Sequence, residues 1–159
     1  MLPMHQPAGP VNPMRARGLS AASIILLLAL DRASKLWALH SLRPIGEIRV
    51  LPFMYWTYAE NTGAAFSSFR GSNAALTAVS VVVLCGLIYF RRNWIEDAWS
   101  RCGFILVVSG AAGNLWDRIL YGHVVDFIDF RVWPVFNVAD SCITVGAILL
   151  ALGIYFRKS

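Results

Sequence analysis

Long stretches without charged residues constrain this chain more than any other feature. Residues 71–90 are 20 consecutive positions without Asp, Glu, Lys or Arg, and residues 102–116 are also uncharged. Residues 19–30 are uncharged, and residues 132–156 contain one ionisable group, Asp140. About 20 apolar residues in a helix cross the hydrocarbon core of a bilayer, where every backbone group must be hydrogen-bonded internally. We therefore predict an all-α polytopic membrane protein with four transmembrane helices, near residues 19–39, 71–90, 101–120 and 138–156.

The composition of the chain supports a membrane location. Hydrophobic residues make up 57% and charged residues 14% of the 159 positions, against about 45–50% and about 25% in soluble domains. These values exclude a disordered chain and argue against an ordinary soluble domain. The net charge of +5 therefore favours contact with anionic lipid headgroups rather than with nucleic acid. The three cysteines have no CxxC spacing and predict neither a disulfide framework nor a metal site.

Residues 1–18 differ in composition from the apolar segment that follows them. They include four prolines, and we predict a flexible N-terminal tail followed by a single membrane domain over residues 19–159. Arg15 and Arg17 ahead of an apolar core are also typical of a removable signal peptide. The core instead continues into Asp31 and Lys35 without a small-x-small cleavage site. This continuation favours a retained helix.

The distribution of Lys and Arg predicts how the chain is oriented in the membrane. Arg91, Arg92 and Arg101 lie between the second and third predicted helices, and other basic residues precede the first helix and follow the fourth. Basic residues concentrate on the cytoplasmic side of membrane proteins, so we expect both termini to be cytoplasmic. With four spans, the first and third helices then end at the outer face, where the fourth begins.

The unusual polar residues of the chain converge on that predicted outer face. Ionisable groups in membrane spans cost at least about 2.5 kcal/mol each on insertion scales, so they indicate function. The opposite face has only short, Arg-rich connections. The residues that converge, which form a candidate site, are Asp31, Lys35, Asn114, Asp117, Arg118 and Asp140, with Asn61 and Asp126 in the two outer loops.

Asp126 and Asp140 carry the clearest chemical signal in this group. The simplest interpretation of Asp140 is a helix start, with Asn137 as N-cap three residues earlier. Taken alone, Asp126 is interpreted as a solvated loop acid, in a segment that is either a strand or a helical turn. Brought to one apolar site, two aspartates cannot easily both ionise, so they share a proton. One carboxylate can then act as a general base for water while the other polarises a carbonyl, without a metal or cofactor.

The polar residues near the aspartates have both structural and functional interpretations. Small residues at 109–113 favour close helix–helix contact. Asn114 and Arg118 are four residues apart and share a helix face. The partner of Arg118 is either Asp117, a neighbouring acid or an incoming backbone carbonyl. Residues 60–67 are interpreted as an outer-loop turn, in which Asn61 is either a turn residue or a hydrogen-bonding partner of an extended peptide.

Four blocks of residues, in a fixed order, form the most specific pattern in the chain. The blocks are DRASK at 31–35, NTGAAF at 61–66, GAAGNLWDR at 110–118 with VDFI at 125–128, and FNVADS at 136–141. With these blocks the chain resembles, over residues 19–157, the lipoprotein signal peptidase (signal peptidase II) family of bacterial membrane aspartic proteases. Arg32 stands where the family usually has Gln, and Ser109 where its glycine block often begins with Gly.

The resemblance implies a fold, a reaction and a set of site residues. It implies four membrane helices with a small extracytoplasmic β-rich cradle near residues 41–66, in the bacterial cytoplasmic (inner) membrane. Asp126 and Asp140 would be the catalytic pair, without metal or cofactor. The substrate would be a prolipoprotein with a diacylglyceryl-modified Cys, cut just before that Cys by a monomeric enzyme in contact with membrane lipids. The residues implied to bind substrate or support the site are Asp31, Lys35, Asn61, Gly63, Asn114, Arg118 and Asn137.

Two other classes of function also use buried Asp and Arg. A small proton-coupled transporter would place them near the bilayer midplane, often in repeated halves, whereas here they lie towards one face and no repeat is visible. A Mg-dependent lipid phosphotransferase would use Asp117, Asp126 and Asp129 on a metal. The chain has no P-loop, GxGxxG, HExxH or GxSxG motif. The peptidase is therefore the preferred interpretation.

Overall fold

Four long helices and a small sheet make up the part of the chain that the structure describes. The structure, a computed structural model, describes residues 13–63, 73–94 and 97–157. The helices lie close to the predicted segments, although residues 71 and 72 of the second prediction fall outside the described residues. The elements are α1 (Pro13–Trp37), a π-helical turn (Ala38–Leu42), β1 (Glu47–Leu51), β2 (Met54–Asn61), α2 (Asn73–Trp94), α3 (Ala98–Tyr121), β3 (Val124–Asp129) and α4 (Val138–Arg157).

The ends of the helices follow from local sequence. Pro13 is the first described residue of α1. Residues 13–18 of the predicted tail are therefore helical, and residues 1–12 lie outside the described part. At α3, the Asp97 side chain accepts a hydrogen bond from the backbone N–H of Ser100 at 2.9 Å. α3 ends at Gly122, whose φ of 74° is the left-handed conformation that glycine adopts without strain.

A small three-stranded sheet accompanies the helices, as the β-rich cradle implied by the resemblance leads one to expect. Its strand order is β1-β2-β3 and both pairings are antiparallel. β1 and β2 lie within the 41–66 segment where a cradle was expected, of which residues 64–66 fall outside the described part. The pairing Ala59↔Asp126 settles the open choice for Asp126, which lies on a strand. The outer-loop turn was wrong for Glu60 and Asn61, because they pair with Val125 and Val124 at the end of β2.

Glycines allow α3 and α4 to pack with their backbones in close contact. A Cβ atom on Gly103 would lie 2.6 Å from the carbonyl oxygen of Gly146, too close for any side chain. A Cβ on Gly110 would collide with the carbonyl oxygen of Ala139 at the start of α4. The predicted helix–helix contact of the small residues is confirmed at Gly110. This contact fixes the start of α4 against the middle of α3.

Membrane-spanning character is clearest in α2 and α4. Among the described residues, two segments are long and apolar enough to cross a membrane, Asn73–Arg91 and Val138–Arg157. Large apolar side chains such as Val82, Tyr89 and Ile148 are exposed along them. An outward-facing apolar surface of this kind suits contact with lipid. α1 and α3 carry buried charged groups instead, and these groups meet next to the sheet.

Candidate active site

Asp126 lies in the middle of β3 and is buried, with 1% of its surface exposed. Its Oδ1 accepts a hydrogen bond from Asn137 Nδ2 at 2.6 Å, and its Oδ2 accepts one from Asn61 Nδ2 at 2.9 Å. Burial, and then the negative charge of Asp140, raises the pKa of Asp126 to about 7. At neutral pH this carboxyl group therefore holds a proton for a substantial part of the time.

Asp140 lies in the first turn of α4, where it closes a capping box with Asn137. The backbone N–H of Asp140 donates to Asn137 Oδ1 at 2.9 Å, and the backbone N–H of Asn137 donates to Asp140 Oδ2 at 3.2 Å. The helix-start interpretation of Asp140 is thus confirmed. Its other oxygen, Oδ1, accepts a hydrogen bond from Asn114 Nδ2 at 2.8 Å. The carboxylate caps the helix and faces α3 at the same time.

Asn137 connects the two aspartates directly. It is completely buried. Its side-chain Nδ2 donates to Asp126, its side-chain Oδ1 accepts from the backbone N–H of Asp140, and its own backbone N–H donates to Asp140 Oδ2. Its Nδ2 also lies 3.2 Å from Asn114 Oδ1. Both carboxyl groups are therefore held by neutral amide donors, and among the described residues no cation donates a hydrogen bond to either of them.

A separate ion cluster lies behind Asn114. Lys35 Nζ is 2.9 Å from a carboxylate oxygen of Asp31 and 2.9 Å from one of Asp117, and it donates to Asn114 Oδ1 at 2.8 Å. The Lys35 side chain is 1% exposed. Asp31 also accepts a hydrogen bond from the backbone N–H of Ala139 at 3.1 Å. This cluster supports Asn114 and the start of α4 without contacting Asp126.

Arg32 is the second cation of the ion cluster, at its exposed edge. Its Nη1 lies 3.3 Å from Asp117, and its side chain is 34% exposed. It also donates to the Tyr121 hydroxyl at 2.5 Å and lies over the same ring, 5.0 Å from its centroid. The contacts of Asp117 are therefore with Lys35 and Arg32. The suggested pairing of Arg118 with Asp117 was wrong.

Arg118 and Asn61 occupy the two sides of the aspartate pair. The guanidinium of Arg118 makes no ion pair or hydrogen bond within the described residues, and its Nε is buried without a partner. Among the acids, Asp140 has the strongest electrostatic attraction for the Arg118 guanidinium, followed by Asp126. Asn61 Oδ1 accepts a hydrogen bond from the backbone N–H of Gly63 at 2.8 Å, where Gly63 has a φ of 93°. This turn fixes the amide that donates to Asp126.

The three acids proposed for a metal in the phosphotransferase alternative lie in different environments. Asp129 accepts hydrogen bonds from Thr57 at 3.0 Å and from the backbone N–H of Arg131 at 2.7 Å. Asp117 is held by Lys35 and Asp126 by amides. In residues 13–63, 73–94 and 97–157, no three His, Cys, Asp or Glu side chains are arranged to hold a metal ion.

Comparison with known proteins identifies the family to which this arrangement belongs. The model of the Peptidase_A8 family, described as signal peptidase (SPase) II, matches residues 23–156. The chain belongs to the signal peptidase II family. Signal peptidase II enzymes are aspartic peptidases, so the predicted class of enzyme is confirmed, and the matches do not favour a transporter or a phosphotransferase.

Relatives across much of the chain support the membership. The lipoprotein signal peptidase of Psychromonas ingrahamii is 39% identical over 143 residues, covering 84% of this chain and 82% of the relative. That of Pseudomonas putida is 41% identical over 145 residues, covering 84% and 85%. A solved bacterial membrane enzyme structure is similar with a TM-score of 0.76 and 31% identity, covering 89% of this chain and 90% of the other. The likeness to signal peptidase II relatives and to this membrane enzyme structure thus extends over most of the chain.

Sequence reasoning missed two residues beside the site. Asn73, in the first turn of α2, donates from Nδ2 to the backbone carbonyl of Arg118 at 3.1 Å. Thr77 lies one turn further along α2, and its hydroxyl is buried without a partner. The available signal in this signal peptidase II sequence was the spacing of Asn73 and Thr77, which lie four residues apart, and so on one helix face, in a run without charged residues.

Proposed function

We propose that Asp126 and Asp140 are the catalytic pair of this signal peptidase II, which removes the signal peptide from prolipoproteins. The observation that carries the assignment is the Asn137 side chain, which bonds both residues and joins β3 to the start of α4. A shared, buried site for two carboxyl groups raises the pKa of one of them above its ordinary value. One proton on two carboxyl groups supplies the acid and the base that peptide hydrolysis needs.

Asp126 acts as the acid and Asp140 as the base. Asp126 is the more buried group, with a pKa raised to about 7. Asp140 lies at the N-terminal end of α4, where the helix dipole and two N–H donors favour a negative charge. Its environment therefore suits the carboxylate that takes a proton from water.

The reaction follows from these two roles. Asp140 removes a proton from water as the oxygen attacks the carbonyl carbon of the scissile peptide bond, and Asp126 gives its proton to the carbonyl oxygen. The tetrahedral intermediate then collapses, the C–N bond breaks, and the leaving amine takes the proton held by Asp140. The proton on the carbonyl oxygen returns to Asp126 as the new carboxyl group forms. Both aspartates end in their starting states.

The neighbouring residues position the substrate and the pair. The unpaired Arg118 guanidinium binds backbone carbonyl oxygens of the substrate, and Asn61, braced by Gly63, binds its backbone while donating to Asp126. Asn114 and Asn137 orient the carboxyl groups. The remaining supporting residues, Asp31 and Lys35, act through Asn114 and Ala139.

The substrate is a prolipoprotein whose Cys already carries diacylglycerol, and the cut bond is the one before that Cys. The four helices cross the bacterial inner membrane with both termini cytoplasmic, and the site lies at the extracytoplasmic face. Basic residues such as Arg91, Arg101 and Arg157 lie at the ends of the helices away from the site, which supports this orientation. A substrate held in the bilayer by its acyl chains then meets water at the outer ends of α3 and α4.

The enzyme acts as a monomer, as a single membrane domain, and without metal or cofactor. Every group assigned to the reaction comes from one chain. Membrane lipids surround the helices, and nucleic acid is not a partner.

Substitution of each aspartate tests the assignment. We expect Asp126→Asn and Asp140→Asn to abolish cleavage of a lipidated precursor by purified enzyme in EDTA, while both variants stay folded by circular dichroism. Asp129→Asn is the matched control, since Asp129 lies on the same strand and is buried but contacts Thr57 and Arg131 instead. Cleavage by either of the first two variants would refute the assignment.

The substrate rule has its own test. The same enzyme is given the precursor with and without the diacylglyceryl group, and the cleaved bond is identified by mass spectrometry. We expect cleavage of the lipidated precursor alone, immediately before the modified Cys. Equal rates for the two precursors would contradict the proposed substrate.

A further inference from the structure

Two polar side chains of α2 are buried without hydrogen-bond partners. Asn73 Oδ1 and Thr77 Oγ1 are both inaccessible and unpaired. A buried polar atom without a partner costs about 1–3 kcal/mol, so most such atoms in folded proteins are paired. Two such atoms in adjacent turns of one helix indicate that a ligand supplies the missing hydrogen-bond partners.

Thr77 differs in this respect from the next hydroxyl residue on the same helix. Ser80 Oγ donates to the backbone carbonyl of Leu76 at 2.8 Å, which is the usual way a helix satisfies a hydroxyl group in an apolar setting. Thr77 has no such bond, although the corresponding carbonyl four residues earlier belongs to Asn73. Its hydroxyl is therefore kept from the backbone and free for another partner.

The position of both residues is set by packing against α3. α2 ends at Trp94 and α3 begins at Ala98, and Asn73 at the other end of α2 contacts Arg118 near the end of α3. The two helices are thus antiparallel. By helix geometry, Thr77, one turn further along α2, lies at the level of the turn of α3 that carries Asn114, the residue bonded to Asp140. The unpaired atoms of α2 therefore lie along the part of α3 that carries Arg118 and Asn114.

The Nε of Arg118 is a third buried atom without a partner in the same region. Asn73 is held in place by its bond to the Arg118 carbonyl, so its free oxygen is a fixed acceptor. Arg118 Nε is a donor, and the Thr77 hydroxyl is both donor and acceptor. A peptide group, with one N–H and one C=O, matches this set.

We propose that Asn73, Thr77 and Arg118 form a subsite that binds a backbone peptide group of the signal-peptide segment next to the scissile bond. Asn73 Oδ1 accepts the substrate N–H, and Thr77 and Arg118 donate to the substrate carbonyl. The proposal rests on the proposed function and extends it by giving α2 a direct part in substrate binding. Because these contacts are with the substrate backbone, binding at this position does not depend on the side chain that the signal peptide carries there.

The first test uses Thr77→Val, which keeps the shape of the side chain and removes the hydroxyl. We expect KM for the lipidated precursor to rise about three- to tenfold, the effect of one lost hydrogen bond, with kcat unchanged because the contact is the same in ground and transition states. Thermal stability should stay the same or increase, since an unpaired buried hydroxyl is lost. Ser80→Ala, with its paired hydroxyl, is the matched control and should keep the wild-type KM.

The second test changes the substrate. Backbone amides of the signal-peptide segment before the cut are replaced one at a time by esters, which removes one N–H each. We expect one position at which the ester raises KM for the wild type but not for Asn73→Leu. If no position distinguishes the two proteins, Asn73 does not accept a substrate N–H.

The outcomes separate the subsite from the function on which it rests. Failure of the wild-type enzyme to cleave the lipidated precursor refutes the proposed function, and the subsite with it. Normal wild-type cleavage with an unchanged KM for Thr77→Val refutes the subsite alone. A raised KM in Thr77→Val with a normal Ser80→Ala control establishes it.

Discussion

Two pairs of aspartates lie side by side where the helices meet the sheet, and they are held in opposite ways. Asp31 and Asp117 share the cation Lys35, with 2.9 Å between its Nζ and each carboxylate. Asp126 and Asp140 are held by the amides of Asn61, Asn114 and Asn137. The same residue type is therefore held by a shared cation in one pair and by neutral amides in the other.

The difference shows what each environment is suited to do. A buried cation between two carboxylates fixes all three charges, and such a group is costly to disturb because each remaining charge is left unpaired. Amide donors hold a carboxyl group in place in either protonation state. The ion cluster accordingly supports Asn114 and the start of α4, and the amide-held pair is the one that we propose as the reactive part of the site. Asn114 contacts both, since it accepts from Lys35 and donates to Asp140.

Removal of the shared cation should produce the largest change in stability. Lys35→Met leaves Asp31 and Asp117 buried without their cation, and loss of one partner of a buried ion pair costs about 3–5 kcal/mol. We expect a large fall in the unfolding temperature, followed by the fluorescence of the six tryptophans. Asp126→Asn should stay close to wild type at neutral pH in the same measurement. Wild-type stability of Lys35→Met would show that the two pairs do not differ as described.

The amide-held pair should make stability depend on pH. The pKa of Asp126 is raised from 3.8 to about 7 in the folded protein, so the folded state binds this proton more tightly than the unfolded chain. The stabilisation is complete below about pH 4 and is lost as the pH rises through about 7. This stabilisation is at most about 4 kcal/mol, because each unit of pKa difference between the folded and unfolded states corresponds to about 1.4 kcal/mol.

This pH dependence is measured by unfolding at a series of pH values between about 4 and 8. Asp126→Asn cannot titrate at this position, so its unfolding temperature should fall less over that range than that of the wild type. Equal slopes for the two proteins would mean that the Asp126 carboxyl group is not stabilised in its protonated form.

Substitution of Asn137 separates its role in folding from its role in the reaction. Asn137→Ser keeps a good N-cap for α4 but loses the amide that donates to Asp126. We expect stability within about 1 kcal/mol of wild type and a kcat lower by about tenfold to a hundredfold, the effect of a slightly misplaced catalytic group. Asn137→Ala, which loses both functions, is the comparison. A wild-type kcat for Asn137→Ser would contradict the positioning role.

The smallest effect is expected at the exposed edge of the ion cluster. Arg32 is 34% exposed and lies 3.3 Å from Asp117, and partly exposed ion pairs contribute about 0–1 kcal/mol. Arg32→Gln should therefore change the unfolding temperature little and leave cleavage unchanged. A loss as large as that of Lys35→Met would show that the cluster depends on both cations.

Much of the fold could be predicted because it is encoded in local patterns. The absence of charge over 71–90 and 102–116 predicts long apolar helices whatever their neighbours are. The spacing of Asn137 and Asp140 predicts a helix cap, which depends on four consecutive residues. Gly110 predicts close packing because only a small residue permits it.

Pairings between distant segments could not be derived in this way. Asp117 and Arg118 are adjacent in sequence, but adjacent residues of a helix point in directions about a quarter of a turn apart. Asp117 faces Lys35 of α1, whereas Arg118 faces α2 and the aspartate pair. Asn61 lies at the end of a strand and not in a turn. Its strand partner, Val124, comes 63 residues later, so the sequence around Asn61 could not predict the pairing. Only the packing of α1 and α2 on α3 decides these contacts.

The position of α4 after β3 in the sequence determines when the aspartate pair can assemble during synthesis. Asn137 and Asp140 belong to the last of the described helices, and their bonds exist only when its first turn is wound against α3. A ribosome completes Asp126 and its strand before α4 has been made. In the proposed mechanism, hydrolysis needs Asp140 as well as Asp126. A newly made chain therefore becomes competent for that reaction only once α4 has docked on α3.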